Sequence, residues 1–190
     1  MNAPLYPTGL RTWIEVDRRA IAKNYAAMRA RAGKARLMGV VKSNAYGHGL
    51  VAFSRELERL GVDWLAVDSV VEGLRLREEG IKTPILALGY TLPELVAEAA
   101  KNNISLTVST FELLEACAKR RGGPPVKVHL KVDTGLHRQG FLPHQIHEVV
   151  ARVKKPQAPF VVEGLFTHFA KAKDPGDRAY TRGQLHALKP

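Results

Sequence analysis

The chain has 190 residues, 45% of them hydrophobic and 25% charged, which describes a soluble globular protein with one sizeable core and argues against disorder. No stretch approaches the roughly 18 uncharged apolar residues of a membrane span, and the opening MNAPLYPTGLRTWIEV lacks a basic start followed by an apolar core. A cytoplasmic protein without a membrane partner is therefore expected. The net charge of +11 raises the question of a nucleic-acid partner. Seven of the cations, however, lie between Arg18 and Arg36, around a helical pattern with Ile21, Tyr25 and Met28 on its apolar side. Such cations form a solvated face, and no interleaving of basic and aromatic residues accompanies them, so no nucleic-acid partner is expected.

After that first helix, apolar and β-rich runs recur: RLMGVV at 36–41, WLAV at 64–67, PILAL at 84–88, ISLTV at 104–108, VKVHLKV at 126–132 and FVVEGLF at 160–166. Amphipathic helical patterns lie between them. Three of these patterns open on a Ser or Thr followed three residues later by Glu: Ser69 to Glu72, Thr91 to Glu94 and Ser109 to Glu112. Each predicts a capping box, in which the hydroxyl accepts from a first-turn amide and the Glu returns a bond to the cap residue. Gly80 predicts the end of one helix, and the Gly122, Gly123, Pro124, Pro125 run the end of another. Cys117, in the helical FELLEACAKR, has no cysteine partner and no metal spacing, so it reads as a buried or half-buried helix residue and no metal site is expected.

Strands alternating with helices indicate an α/β fold of βα units around a parallel sheet, because parallel strands need a crossover. Short apolar strands fit a sheet covered on both faces. An open doubly wound sheet and a TIM-type barrel both meet this description, and both place ligands beyond the carboxyl ends of the strands. That rule selects Lys42 and Tyr46 after the first strand, Asp68 after the second, Tyr90 after the third, Asp133 to Arg138 after the fifth, and Thr167 and His168 after the sixth. In KVDTGLHRQG, Lys131 ends a strand, Gly135 and Gly140 permit unusual backbone angles, and Arg138 projects into the loop.

The sequence contains no GxSxG, Walker, HExxH, CxxC or GxGxxG pattern, which leaves serine hydrolase, nucleotide hydrolase, zinc peptidase and dinucleotide dehydrogenase readings without an anchor. A lysine at a strand exit is either an ordinary surface charge or an amine that carries a carbonyl cofactor. Pyridoxal phosphate on such a lysine supplies an electron sink, and an aromatic hydroxyl, a His ring and an Arg are groups it can use.

The stretch VVKSNAYGHG at 40–49 resembles the cofactor-lysine signature of the alanine racemases, a pyridoxal-phosphate family with a TIM-type barrel followed by a β-rich domain. KVDTGLHRQGF and GLFTHFA match in order, and IEVDRRAIAKNY is similar to the family's opening strand and first helix. The resemblance implies that Lys42 forms the internal aldimine and serves as one of two bases that interconvert L-alanine and D-alanine. It implies that Tyr46 holds the cofactor phosphate, that Arg138 contacts the phenolic oxygen and the substrate region, and that His168 lies against the pyridine ring. Lys131 matches a lysine often carbamylated in the family, whose added carboxylate orients the arginine. Leu136, His137 and Gln139 depart from the Met, Gly and Leu more usual there, which reads as drift beside the site, with His137 placed to tighten or crowd it.

The six strand candidates fall short of the eight strands and about 250 residues of a closed barrel. The expected architecture is therefore a partial TIM-type barrel over 17–190, preceded at 1–16 by a strand that pairs with the family's β-rich domain. The family's opposite base, a tyrosine from a partner subunit, and the arginine at the pyridine nitrogen are not in this sequence, so the chain by itself is expected to be inactive. The resemblance implies a homodimeric parent supplying D-alanine for cell-wall peptidoglycan. Two other readings stand beside it: a noncatalytic pyridoxal-phosphate-binding barrel protein, whose lysine context differs, and a basic nucleic-acid-binding module, which rests on net charge alone and would lose affinity steeply with salt.

Overall fold

The computed structural model describes residues 9, 11–154, 159–174 and 176–188. Six strands form one sheet: β1 (Met38–Val40), β2 (Trp64–Val67), β3 (Ile85–Ala87), β4 (Ile104–Val108), β5 (Val126–Lys131) and β6 (Phe160–Phe166). Every neighbouring pair is parallel, and the spatial order is the chain order, β1 through β6. A doubly wound sheet reverses its strand order at a switch point, and this one does not, so the winding is that of a barrel. All six strand candidates are present, within two residues of their expected ends.

The sheet curls. The Trp64 ring of β2 lies edge-on to the His129 ring of β5, with centroids 5.3 Å apart. Three strand spacings across a flat sheet would separate them by roughly 14 Å. Ser105 of β4 likewise donates to Glu163 of β6 at 2.6 Å, across the intervening strand. The sheet is not closed: Val40 on β1 and Val161 and Leu165 on β6 remain exposed. The expectation that both faces would be covered holds over β2, β3 and β4, where the alternate positions Ala66, Leu86, Ser105 and Thr107 are buried as well, and fails toward the open edges. Val126, Val128 and Leu130 of β5 are buried in the main core, whereas the alternate positions Lys127 and His129 face the curl with Glu163.

Helices α3 (Leu50–Arg59), α4 (Val70–Glu78), α5 (Val96–Lys101), α6 (Phe111–Lys119) and α7 (Ile146–Val153) cover the outer face, α1 (Arg18–Ala32) packs on it in part, α8 (Arg178–Leu188) bonds to the loops after β5 and β6, and α2 (Lys42–Tyr46) is a single turn after β1. Strand residues Leu65, Ile85, Leu106 and Val128 pack with helix residues Val70, Leu76, Leu113 and Leu114, all essentially inaccessible to water. Each such side chain contributes about 1.5–3 kcal/mol by leaving water. Cys117 sits among them on α6, and burial pushes its thiol up to about 12, as an inert core residue requires.

Helix α1 has no fully buried residue and Met28 is 62% exposed, so the expected apolar side is reduced to Ile21 and Tyr25, which partly pack on the core. Polar clamps hold the helix instead: Tyr25 Oη donates to Gly61 O at 2.9 Å, Arg29 pairs with Asp63 at 2.8 Å and Arg18 with Glu56 at 2.8 Å. Residues 11–16 carry no strand, and 1–8 and 10 lie outside the described residues.

None of the three capping boxes forms as expected. Ser69 Oγ accepts from Glu72 N at 3.3 Å, but the Glu72 carboxylate does not return to the cap. At Thr91 a 3-10 turn (Pro93–Leu95) capped by Leu92 replaces the expected start, because Pro93 pre-sets the first position. The α6 cap is Thr110, not Ser109, and Glu112 accepts from Tyr90 Oη at 2.8 Å. Gly80 and Gly122 follow their helices with φ of 82° and 70°, as expected.

Candidate active site

Lys42 follows β1 directly, after Val41 N extends the ladder by donating to Ala66 O at 2.8 Å. The chain then turns with the wrong hand. Ser43, Asn44, Ala45 and Tyr46 all have φ between 52° and 57°, so α2 is a left-handed turn built without glycine. Such a conformation costs about 1–2 kcal/mol for each ordinary residue. Several bonds hold it. The two oxygens of Glu72 accept from Ser43 N and Asp68 N, each at 2.7 Å. Asn44 Oδ1 accepts from Leu50 N at 2.8 Å, its carbonyl accepts from Gly47 N and Gly49 N, and Ala45 is buried beneath. Glu72, which the sequence suggests as a helix cap, is thus the anchor of the lysine's turn.

The lysine side chain is 33% exposed, and its Nζ donates to Asp68 Oδ1 at 3.0 Å. Tyr46, at the far end of the turn, is 61% exposed.

The loop after β5 is built on Asp133. Its carboxylate accepts from the backbone amides of Gly135, His137 and Arg138 at 2.9–3.0 Å. Burial works against that charge, but the three amides outweigh it and hold the carboxyl below its usual range. His137 takes φ of 56° and gives its amide to Asp133, so it tightens the loop through its backbone. Gln139 reaches across the strand ends, its Nε2 donating to Ser109 Oγ at 3.2 Å and Leu88 O at 3.4 Å, while its own carbonyl accepts from Lys131 Nζ at 2.6 Å. Lys131 is 3% exposed, and burial followed by the field of Arg138 holds its amine below the usual lysine range.

His168, after β6, completes the set. Burial lowers its pKa first, and the positive fields of Arg138, Lys131 and Lys42 add to this. The four expected residues Lys42, Lys131, Arg138 and His168 therefore share one electrostatic neighbourhood at one end of the sheet, although they come from β1, β5 and β6. That neighbourhood suits an anion.

Tyr180 and Gln184 on α8 have a part that sequence reasoning missed. Tyr180 Oη donates to Gly135 O at 2.6 Å. Gln184 is buried, its Nε2 donates to Thr134 Oγ1 and His168 O, and its Oε1 accepts from Ala170 N. Together they tie the loops after β5 and β6. A polar pair four residues apart on one helix face is the signal that could have found them.

Among the described residues no helix is long and apolar enough to cross a membrane, and no group of three His, Cys, Asp or Glu could hold a metal ion.

Known proteins are similar to this chain in sequence and fold. The family described as alanine racemase, N-terminal domain, matches residues 16–190. The alanine racemase of Symbiobacterium thermophilum is 42% identical over 179 residues, 92% of this chain and 46% of that protein. That of Methanococcus maripaludis is 40% identical over 177 residues, 91% of this chain and 47% of its own. Among solved structures, alanine racemase from Bacillus anthracis with bound L-Ala-P superposes with a TM-score of 0.86 at 32% identity, covering 96% of this chain and 47% of that one. Alanine racemase from Oenococcus oeni gives a TM-score of 0.83 at 33% identity, with 91% and 50% covered. The chain spans about half the length of these relatives. With the fold and these likenesses in agreement, the chain belongs to the alanine racemase N-terminal domain family.

Proposed function

We propose that the protein to which this chain contributes its barrel portion is an alanine racemase that uses pyridoxal phosphate to interconvert L-alanine and D-alanine. The observation that carries the reading is the convergence of Lys42, Lys131, Arg138 and His168 at the carboxyl end of one curled parallel sheet, with Lys42 reachable from solvent. The donor set fits the group: an accessible primary amine for its aldehyde, and a cationic neighbourhood for its phenolate and phosphate. When bound, pyridoxal phosphate supplies the electron sink that makes the α-hydrogen of an amino acid acidic.

In this reading Lys42 Nζ would hold the cofactor through its aldehyde and, as a free amine, would take or return a proton on one face of the substrate. Tyr46 Oη would hold the phosphate, Arg138 would serve the phenolic oxygen and the alanine carboxylate, and the His168 ring would support the pyridine. Burial favours the neutral amine of Lys131, the form that carbon dioxide carbamylates. The carboxylate so formed would sit beside Arg138 and orient it. The base for the opposite face comes from the remaining half of a homodimeric cytoplasmic enzyme, and residues 1–16 belong with its β-rich domain. The product D-alanine would go to peptidoglycan.

The test is a chimera in which the portion of the Symbiobacterium relative beyond the matched region follows Pro190, assayed for D-alanine formation from L-alanine. Turnover that needs added pyridoxal phosphate and is abolished in Lys42→Ala is expected, with none from the 190-residue chain alone. Turnover that survives Lys42→Ala would contradict the assignment.

A further inference from the structure

The bond between Lys42 and Asp68 is not required by anything in the racemase reading, yet its surroundings are closely built. Met38 and Val40 pair in register with Trp64 and Ala66, so two residues further on Lys42 and Asp68 stand side by side at the ends of adjacent strands. Asp68 is fixed from both sides: its N–H donates to Glu72 Oε2 at 2.7 Å and its carbonyl accepts from Gly89 N at 2.8 Å. A Cβ on Gly89 would come within 2.6 Å of Asp68 O and 3.3 Å of Oδ2, so only glycine lets the two strand exits close around this carboxylate. The same Glu72 that pins Asp68 also pins Ser43, the residue after the lysine. One carboxylate thus positions both partners of the ion pair.

We propose that Asp68 is a positioning residue for Lys42, a latch that holds the amine in an ion pair and slows its capture of carbonyl compounds until the pair opens. As applied to pyridoxal phosphate this rests on the reading of Lys42 given above; as applied to small aldehydes it does not. The chemistry is that of imine formation. The ammonium releases one proton to solvent, and the freed lone pair bonds to the aldehyde carbon. The carbonyl oxygen then leaves as water with the two hydrogens that remained on nitrogen. A nitrogen paired with Asp68 has no lone pair to offer. The charged group bonded to the lysine is Asp68, Glu72 accepts from Ser43 N beside it, and the His168 ring lies within the lysine's field.

The test is trace reductive methylation of the full chain at neutral pH, with formaldehyde as the carbonyl compound and cyanoborohydride supplying the hydride that reduces the imine carbon. Peptide mass spectrometry reads labelling at Lys42 against exposed Lys101, with buried Lys131 as the monitor of folding. Asp68→Asn should raise the Lys42 to Lys101 ratio by about two- to fivefold, the range for a part-exposed ion pair, and leave Lys131 unchanged. Asp68→Glu, which keeps the charge, should return the ratio toward that of the parent. An unchanged ratio in Asp68→Asn, or an equal rise at Lys131, would overturn the latch. The same variants with pyridoxal phosphate and borohydride separate the two claims. If the formaldehyde ratio moves while pyridoxal phosphate labels lysines without preference, the latch stands and the cofactor reading fails.

Discussion

Two lysines stand at strand ends of the same sheet, and their surroundings differ in kind. Lys42 sits on a left-handed turn, one third exposed, paired with a carboxylate that is itself pinned. Lys131 is almost fully buried, donates to a backbone carbonyl, and lies in the field of Arg138. The first amine can meet a molecule from solvent. The second is out of reach of a cofactor-sized molecule. Position at a strand exit therefore marks a candidate, and the groups that hold the side chain decide its use.

The sharpest way to break this contrast is to disturb the loop that buries Lys131. Gly140 has φ of 135°, and an added Cβ would lie 2.6 Å from Asp133 N, 2.9 Å from Val132 C and 3.1 Å from Lys131 O, all backbone. Gly140→Ala should destabilise the chain by about 3 kcal/mol or more in urea unfolding, since strain and overpacking add. At the other lysine, Glu72→Ala removes two charge-assisted bonds and should cost about 2–3 kcal/mol, with faster hydrogen exchange at Ser43 and Asp68. Gly47 has φ of 91°, and a methyl group added there would meet nothing within 4 Å. Gly47→Ala therefore carries strain without collision and should cost only about 1–2 kcal/mol by the same unfolding measurement.

The smallest effect links the two regions. His168 titrates below its ordinary value because of burial and the fields of Arg138, Lys131 and Lys42. The native chain therefore favours the neutral ring. Its contribution to stability is fully present above the unfolded value of about 6.5, and is lost as pH falls from there through the folded value. Arg138→Gln should raise the imidazole midpoint read by NMR. An unchanged midpoint would separate the β5 and β6 exits electrostatically.

Much of this was legible in the sequence because the outer face of the sheet is apolar throughout. Runs such as WLAV and ISLTV have no other place to go, and both strands occupy the residues expected. Lys42, Lys131, Arg138 and His168 were legible because ligands in such sheets lie beyond the strand ends, and because the surrounding motifs resemble a known family. The polar ties were not. Ser69 to Glu72 has the spacing of a capping box, but the carboxylate is drawn to two amides that only the neighbouring strand brings near. Ser43 to Tyr46 carries no glycine, so nothing in its composition announces a left-handed turn, and only tertiary bonds hold it there. The roles of Asp68, Tyr180 and Gln184 likewise depend on partners distant in the chain.

The central claim is that Lys42, and not Lys131 or a surface amine, is the lysine that takes a carbonyl cofactor. Incubating the purified chain with pyridoxal phosphate, reducing with borohydride and locating the pyridoxyl group by peptide mass spectrometry tests it directly. A dominant adduct at Lys42 that disappears in Lys42→Ala is the expected result; labelling spread over the surface lysines, or centred on Lys131, would contradict the account.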